Sequence, residues 1–304
     1  MRIVRGLDSV PPDARPSAVA LGTFDGVHLG HRAILGTALG RARAVGLDAV
    51  ACTFDRHPME ILNPERAPLP LTTVEERLAL IGETGVDVVI VLAFTRELAA
   101  IEPEAFVKDV LIGRLRAREI VVGDSHRFGR AARGDARMLV DLSGRFGFQA
   151  HVVPPMAVDG AVVSSSEIRA ALQRGDVSGA ARSLGRPYGI TGQVTSGAGR
   201  GRTLGFPTAN IDPDRPVLVA RGVYRGLVTV DGGRHAAVVN VGVRPTFGET
   251  TLAVEAHLLD FAGDLYGRRV RLDFVARLRD EMRFPSIEDL KAQVARDIAA
   301  ARSG

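Results

Sequence analysis

The chain has 304 residues, of which 46% are hydrophobic and 24% charged, and its formal net charge is +4 at pH 7. This length suffices for two domains of ordinary size, and the basic residues are scattered along the chain, which argues against a nucleic-acid partner. A single cysteine, Cys52, excludes an internal disulfide. The two lysines, Lys108 and Lys291, lie outside any G-x-x-x-x-G-K-[ST] sequence, which excludes a Walker A kinase.

Neither an export signal nor a membrane anchor is evident in the sequence. The first eight residues lack the apolar stretch of a signal peptide, and no run of residues reaches the length of a membrane span. One cysteine in a chain of this size is typical of a reducing compartment. We therefore expect a cytoplasmic protein without a membrane partner.

A glycine-rich turn, G-T-F-D-G-V-H-L-G-H from Gly22 to His31, separates the first predicted strand, Ala18–Leu21, from a segment with helical spacing. Main-chain N–H groups at such a helix N-terminus favour an anion, and glycines let a polyanion approach closely. His28 and His31 share one side of the first helical turn. The turn predicts a triphosphate pocket whose imidazoles stabilise charge at phosphorus; capping or solvated histidines are the alternative.

The sequence between residues 49 and 153 alternates between predicted strands and predicted helices, one of which begins after Thr73. Alternation of this kind produces parallel β-α-β units. It predicts a Rossmann-like domain with a parallel sheet in the first half of the chain. The strands after the first are predicted at 49–54, 87–93, 119–122 and 150–153.

Two polar side chains follow the strand predicted at 49–54. Asp55 and His57 lie just beyond its carboxyl end, and open α/β sheets bind ligands at that edge. A ligand-binding pair is one interpretation of these residues. A polar turn before Pro58 is the other, and the residues alone favour neither.

Three consecutive serines precede the helices that close this half. Ser164 and Glu167 have the spacing of a capping box, which is a structural interpretation. Capping leaves unexplained the hydroxyls of Ser165 and Ser166 and the guanidinium of Arg169. Together these groups predict a second helix N-terminus that is suited to phosphate.

The pattern changes after the turn residues at 185–189. Short alternating strands separated by turns predict a small antiparallel β-barrel in the second half. A final helix after Ser286 is predicted to pack on this barrel through an apolar stripe. We therefore divide the chain into domains at 1–185 and 186–304. The stripe consists of Ile287, Leu290, Val294 and Ile298.

The candidate chemistry of the second half lies in the segment Gly199–Asn210. Thr208 and Asn210 are two residues apart, so both face one side if the segment is extended. A hydroxyl and an amide oxygen suit Mg²⁺, which prefers oxygen ligands and shares them with substrate phosphates. A turn that ends in asparagine after Pro207 is the alternative interpretation.

Several of these motifs resemble those of bacterial bifunctional riboflavin kinase/FAD synthetases. Gly22–His31 is similar to the H-x-G-H signature of nucleotidyltransferases, and Ser164–Arg169 resembles the second nucleotide signature of the family. Gly199–Asn210 resembles the riboflavin kinase signature, G-R-G-R-x-L-G-F-P-T-A-N. The motifs stand in the family order, and the resemblance covers nearly the whole chain.

The resemblance implies two reactions with ATP as co-substrate. The barrel would phosphorylate riboflavin to FMN, with Mg²⁺ on Thr208 and Asn210 and with Glu255 as general base. An exposed cross-strand carboxylate is the alternative for Glu255. The first domain would adenylylate FMN to FAD and release pyrophosphate, with His28 and His31 as catalytic residues. The implied nucleotide-binding residues are Gly22, Thr23, Phe24, Asp25, Gly26, Gly30, Ser164, Ser165, Ser166, Arg169, Gly199, Arg200, Gly201, Arg202 and Gly205; the implied flavin-binding residues are Asp55, His57, Ser125, His126 and Phe128.

The sequence departs from the family pattern at Ser125 and His126, where the family usually has an acidic or amide residue and an aromatic residue. Serine retains a donor and an acceptor and histidine can still stack, so we expect flavin binding to persist. One alternative is a protein with kinase activity only, whose first domain has drifted. Another is a flavin-binding regulator without turnover, which the set of Thr208, Asn210 and Glu255 disfavours.

Overall fold

The computed structural model of the chain describes residues 1–196, 204–246 and 249–303, and for 244–246 and 249–251 it describes the main chain alone. The chain divides into two compact units, Met1–Ser165 and Ser166–Gly304. The first contains a parallel sheet with helices and the second a closed antiparallel barrel with a C-terminal helix, which confirms the predicted fold class.

The first unit is built on a six-stranded sheet in which every neighbouring pair is parallel. The strands of this unit are β1 (Arg2–Arg5), β2 (Ser17–Leu21), β3 (Asp48–Phe54), β4 (Val88–Leu92), β5 (Ala117–Gly123), β6 (Arg127–Phe128), β7 (Gly134–Asp135), β8 (Gln149–Val153), β9 (Ala157–Val158) and β10 (Ala161–Val162). In the sheet the order is β1-β4-β3-β2-β5-β8, so the chain crosses from one side of β2 to the other between β4 and β5.

Helices connect the strands of this sheet. They are α1 (Leu29–Val45), α2 (Pro58–Leu62), α3 (Val74–Gly82), α4 (Arg96–Ala99), α5 (Pro103–Ala105) and α6 (Ala136–Phe146). A π-helix, Phe106–Arg114, continues from α5. Thr73 caps α3 in a capping box with Glu76, which confirms the predicted start of that helix.

Strand β2 carries apolar side chains on both faces because helices cover both sides of the sheet. Val19 and Leu21 belong to one core cluster, with residues of the π-helix and α6, whereas Ala18 and Ala20 belong to a second, with residues of α1 and α3. Cys52 on β3 is fully buried in the first cluster, and burial raises the pKa of its thiol to about 12.

The second unit contains a six-stranded barrel. Its strands are β11 (Tyr188–Thr195), β12 (Ala209–Pro213), β13 (Gly222–Val230), β14 (Gly233–Thr246), β15 (Glu249–Leu258) and β16 (Arg269–Arg279). They close in the order β11-β12-β15-β14-β13-β16, and all neighbours are antiparallel. Two helices precede the barrel, α7 (Ser165–Gln173) and α8 (Val177–Leu184).

The division between the compact units falls after Ser165 rather than at the predicted boundary of 185 and 186. The reason is that α7 and α8 contact the barrel unit: the Leu172 carbonyl accepts a hydrogen bond from Ala220 N–H at 3.0 Å. The Ser178 hydroxyl likewise donates to the Val275 carbonyl at 3.5 Å. The limits 1–185 and 186–304 stay a prediction for the two domains.

The C-terminal helix, Ile287–Ser303, packs on the barrel as predicted, and Ile298 of the predicted stripe contacts the barrel core. Ile287 is 57% exposed, whereas Ala301 is buried against Val223 and Val238. An ion pair anchors the middle of the helix: Arg279 donates to the buried Asp297 carboxylate at 2.8–3.1 Å. Within the described residues, no helix is long and apolar enough to cross a membrane.

Candidate functional site

A cavity of about 450 Å³ opens at the carboxyl ends of the central strands of the first unit. Leu21, Phe54 and Gly123, which end β2, β3 and β5, line it, so the cavity lies where open α/β sheets bind ligands. Small-molecule sites have volumes of about 300–1,000 Å³, so the size is suitable. The predicted site residues that line the cavity are Gly22, Thr23, Phe24, His31, Ser125, His126 and Phe128.

The turn between β2 and α1 has a strained main chain. Phe24 and Val27 are fully buried and have φ angles of 50° and 39°, which residues with side chains seldom adopt, and Gly26 has a φ of 80°. Such conformations cost on the order of 1–3 kcal/mol each and persist only where contacts hold them. At Gly22 a Cβ atom would lie 2.9 Å from the Phe24 ring, so this position requires glycine.

Asp25 is one of the groups that hold the turn. Its buried carboxylate accepts hydrogen bonds from the N–H groups of Leu71, at 3.0 Å, and Thr72, at 3.2 Å. Its carbonyl accepts a further bond of 3.0 Å from the Ser165 hydroxyl. The Asp25 side chain therefore anchors the turn to the segment before α3, and its role in nucleotide binding stays a prediction.

The buried cation Arg77 contacts the glycine turn, and the sequence analysis did not identify this residue. From α3 its guanidinium donates to the carbonyls of Thr23, at 2.9 Å, and of Phe54, and only 5% of the residue is exposed. Burial lowers the pKa of Arg77, and nearby carboxylates, first that of Asp25, oppose this shift. The sequence did contain one signal for this role, because Arg77 is a charged residue next to Leu78 on the face of α3 that is buried.

His28 and His31 stack at the start of α1, with ring centroids 3.6 Å apart and planes at 17°. His28 caps the helix: its Nδ1 accepts from the His31 N–H at 3.2 Å, so in the neutral ring the proton is on Nε2. The capping interpretation is thus correct for His28. Burial, then repulsion from His28 and Arg77, holds the pKa of His31 well below its usual value, so the His31 ring is neutral at pH 7.

The remaining predicted phosphate residues differ in their surroundings. Ser165 begins α7 at the end of the first unit, while Ser166 and Arg169 belong to the second unit, where Arg169 is buried. Ser164 is half-buried. A Cβ atom at Gly30 would lie 3.2 Å from the His28 ring, so a larger residue would disturb the imidazole pair. The phosphate-binding role of these residues stays a prediction.

Asp55 and His57 hold main-chain segments beside the cavity rather than lining it. Asp55 accepts a hydrogen bond of 2.9 Å from the Phe94 N–H, which connects the ends of β3 and β4. His57 caps α2, where its Nδ1 accepts from the Met59 N–H at 3.1 Å. The predicted polar turn is therefore present, and a flavin-binding role for these two residues stays a prediction.

Ser125, His126 and Phe128 line the cavity together with the aromatic side chain of Phe106. The His126 and Phe128 rings lie nearly parallel, with planes at 17° and centroids 6.0 Å apart. The Nε2 atom of His126 is buried and has no hydrogen-bond partner among the described residues. Burial lowers the pKa of this imidazole to about 4, so His126 is neutral at pH 7.

We expect the first unit to lose stability between pH 7 and pH 5. An unfolded histidine titrates near 6.5, whereas His126 is held neutral down to a pKa of about 4, so the unfolded state takes up a proton first. The stabilisation is complete above pH 6.5 and falls by on the order of 1.4 kcal/mol per pH unit below it. Thermal melts at both pH values measure this loss of stability, and it should be smaller in His126→Phe than in the unmodified protein. An equal loss in the two proteins would contradict the prediction.

In the second unit, three polar residues are aligned across neighbouring strands. Asn210 of β12 pairs with Glu255 of β15, and Asn240 of β14 pairs with Glu255 from the other side. Directly paired residues share a face of the sheet. Val254 and Ala256 are buried, so the half-buried Glu255 between them lies on the opposite face of β15.

The segment before Asn210 is held by a residue that the sequence analysis did not identify. His257 donates from Nδ1 to the Pro207 carbonyl at 2.8 Å, and its ring meets the edge of the Phe206 ring at 6.0 Å. Thr208 follows and lines a cavity of about 90 Å³. Thr208 therefore directly follows a residue whose carbonyl group is held by a hydrogen bond.

Four of the predicted nucleotide-binding residues, Gly199, Arg200, Gly201 and Arg202, lie outside the described residues. Gly205 is described and has a φ of 90°, which favours glycine. Among the described residues, no group of three or more His, Cys, Asp or Glu side chains could hold a metal ion.

Comparison with known proteins gives matches to two families along the chain. Residues 10–167 match the FAD synthetase family, and residues 184–304 match the riboflavin kinase family. The two matches lie in the same order as the parallel-sheet unit and the barrel.

Similar proteins also match over the full length. A bifunctional riboflavin kinase/FMN adenylyltransferase from Pseudomonas fluorescens is 40% identical and covers 100% of this chain and 97% of that protein. One from Escherichia coli strain K12 is 37% identical and covers 99% and 97%. A crystal structure described as a macrolide-efflux protein from Streptococcus pneumoniae has a TM-score of 0.93 at 30% identity and covers 100% of both chains. The chain belongs to the family of bifunctional riboflavin kinases/FMN adenylyltransferases.

Proposed function

We propose that the chain carries out two ATP-dependent reactions on flavins: the barrel unit phosphorylates riboflavin to FMN, and the first unit adenylylates FMN to FAD and releases pyrophosphate. The observation that carries this proposal is the cavity of the first unit. Its lining includes the glycine turn at Gly22–Phe24 with His31 and the aromatic residues His126 and Phe128. These two groups of lining residues suit the two parts of a flavin nucleotide: the turn suits its charged phosphate, and the aromatic residues suit its flat ring system.

In the first unit, a phosphate oxygen of FMN attacks the α-phosphorus of ATP as the bond to pyrophosphate breaks. The imidazoles of His28 and His31 donate N–H bonds to the phosphoryl oxygens, where charge develops. The neutral state of His31 and the Nε2–H tautomer of His28 support this role. Main-chain N–H groups at the start of α1 add further donors, and Asp25 and Arg77 hold the turn that carries them.

In the second unit, Glu255 accepts the proton of the ribityl 5′-hydroxyl as that oxygen attacks the γ-phosphorus of ATP, and ADP leaves. The pairing of Glu255 with Asn210 in the strand register supports a shared site. Thr208 and Asn210 would hold Mg²⁺, for which a hydroxyl and an amide oxygen are suitable donors. When bound, the cation neutralises charge on the ATP phosphates. His257 positions Thr208 through the Pro207 carbonyl.

We also propose a cytoplasmic location, because both reactions consume ATP. The experiment that tests the function is an incubation of the purified protein with riboflavin, ATP and Mg²⁺, in which the flavins are separated by chromatography over time. FMN should rise first and then give way to FAD. FMN without FAD would confine the activity to the barrel. The absence of any product would contradict both proposed enzymatic reactions.

Replacing Arg77 by methionine should reduce FMN adenylylation at least tenfold and leave riboflavin phosphorylation unchanged. Methionine fills similar space but donates no hydrogen bonds, so the carbonyls of Thr23 and Phe54 lose their partner and the strained turn relaxes. Initial rates of both reactions, measured on the same preparation, test this. Arg43→Met is the matched control, since Arg43 forms an exposed ion pair with Asp87, and such pairs contribute about 0–1 kcal/mol. An Arg77 variant as active as the control would contradict the positioning role.

A further inference from the structure

The strand pairing of β12 stops just before Thr208. The ladder between β12 and β15 ends with Ala209 opposite Ala256, and the ladder between β12 and β11 ends at Asn210. Pro207 has no N–H group, so it cannot donate a hydrogen bond to either neighbouring strand. Strand pairing therefore positions Asn210 but does not extend to Thr208, although both residues are proposed ligands of one cation.

A side chain holds the main chain at this point instead. The Nδ1 atom of His257 donates a hydrogen bond of 2.8 Å to the Pro207 carbonyl. Because a carbonyl oxygen only accepts, the imidazole carries a proton on Nδ1 whether the ring is neutral or charged. The Phe206 ring packs edge-on against the imidazole, with the centroids 6.0 Å apart and the planes at 90°. This hydrogen bond therefore fixes the residue that directly precedes Thr208.

His257 lies on the same strand as the proposed general base. Side chains alternate along a strand, so Glu255 and His257 project from one face of β15, while Ala256 and Leu258 are buried on the other. One strand thus carries both the base and the group that holds the segment before Thr208. The distance between the base and the cation ligand consequently depends on the contact that His257 makes.

We propose that His257 is a positioning residue of riboflavin phosphorylation: its hydrogen bond to the Pro207 carbonyl holds Thr208 in place as a ligand of Mg²⁺ and so determines how much Mg²⁺ the reaction requires. His257 acts through the main chain and not by contact with the cation. Mg²⁺ demands near-ideal octahedral geometry, so a displaced oxygen ligand lowers its affinity. The inference rests on the proposed function of the barrel unit and deepens it.

Replacing His257 by leucine and by asparagine tests the proposal. Leucine donates no hydrogen bond, whereas the amide nitrogen of asparagine is as many bonds from the main chain as Nδ1 and keeps the donor. With ATP saturating, the free Mg²⁺ concentration that gives half the maximal rate of FMN formation should rise about tenfold in His257→Leu, because one hydrogen bond is lost. The KM for riboflavin should stay within about twofold. His257→Asn should recover most of the lost affinity for Mg²⁺.

The matched control is His235→Leu. His235 is a half-buried histidine on the neighbouring strand β14, and its ring meets the edge of the Phe261 ring at 4.9 Å. The control therefore removes an imidazole from the same barrel without removing the bond to the Pro207 carbonyl. Its Mg²⁺ requirement should equal that of the unmodified protein.

A second readout needs neither ATP nor Mg²⁺. Hydrogen–deuterium exchange of a peptide that covers residues 204–210, measured in the ligand-free protein, should be faster in His257→Leu than in the unmodified protein. The reason is that a main-chain segment without its anchoring hydrogen bond opens more often. Exchange in His257→Asn and in His235→Leu should match that of the unmodified protein.

An unchanged Mg²⁺ requirement in His257→Leu would overturn the proposal, even with faster exchange, and so would an asparagine variant no better than leucine. A thermal melt and the adenylylation of supplied FMN identify a preparation that fails to fold, and the asparagine variant then decides. If the unmodified protein makes no FMN from riboflavin, the proposed function of the barrel fails, and that result differs from a shift in the Mg²⁺ requirement.

Discussion

Replacing Glu255 by glutamine is expected to slow riboflavin phosphorylation by a factor of about 10²–10⁴, the usual contribution of a general base. Glutamine has the same shape as glutamate but cannot take the proton of the attacking hydroxyl. Asn210 and Asn240 flank Glu255 in the strand register, and side-chain amides can hydrogen-bond to a glutamine there as well as to a glutamate. The initial rate of FMN formation from riboflavin and ATP measures the effect.

The same variant provides an internal reference, because the second reaction belongs to the other compact unit. Glu255→Gln should still convert supplied FMN to FAD at the unmodified rate. Glu288→Gln, at an exposed position in the first turn of the C-terminal helix, is the matched control for the loss of one carboxylate. If Glu255→Gln phosphorylates riboflavin as fast as this control, Glu255 is a surface carboxylate of the barrel and another group accepts the proton.

Removal of either imidazole of the glycine turn should reduce FMN adenylylation by about 10²–10³-fold, the loss typical of a donor aimed at developing charge. His28 needs a careful substitution because its Nδ1 caps α1. Alanine at a cap position costs about 0.5–2 kcal/mol, whereas asparagine is a good N-cap. His28→Asn should therefore melt like the unmodified protein and still lose adenylylation, and His28→Ala should lose both activity and stability.

His31 is tested by alanine, since its side chain does not cap the helix. Riboflavin phosphorylation by each variant shows whether the preparation is intact, and FAD formation from supplied FMN gives the rate of interest. Retention of full adenylylation in His28→Asn would restrict His28 to its capping role. The same result for His31→Ala would remove the imidazole pair from the mechanism.

The alternation of strands and helices was sufficient to predict the parallel sheet, and the short alternating strands of the second half predicted the barrel. Both predictions use local patterns, because the spacing of apolar residues within a single segment distinguishes a strand from a helix. The strand Ala18–Leu21 was predicted to within one residue of β2. The glycine turn after it could be recognised for the same reason, since the residues that form it are consecutive.

Contacts between distant segments could not be predicted in this way. Arg77 reaches the carbonyls of Thr23 and Phe54 across 54 and 23 residues of sequence, and Asp25 binds Leu71 across 46. A charged residue in a buried helical stripe was a visible signal for Arg77, but its partners were not. In the C-terminal helix, Ile298 of the predicted apolar stripe packs on the barrel, whereas Ile287 is exposed. The buried ion pair of Asp297 with Arg279 joins residues 18 positions apart and was not predicted.

The single cysteine has a practical consequence for studying the protein in solution. The thiol of Cys52 is fully buried in the central sheet, and burial raises its pKa to about 12, so in the folded state it is both shielded and protonated. Thiolates are the reactive form of cysteine. Alkylation of the unmodified chain therefore occurs only when the first unit opens, and its rate reports on the opening of that unit without an introduced label.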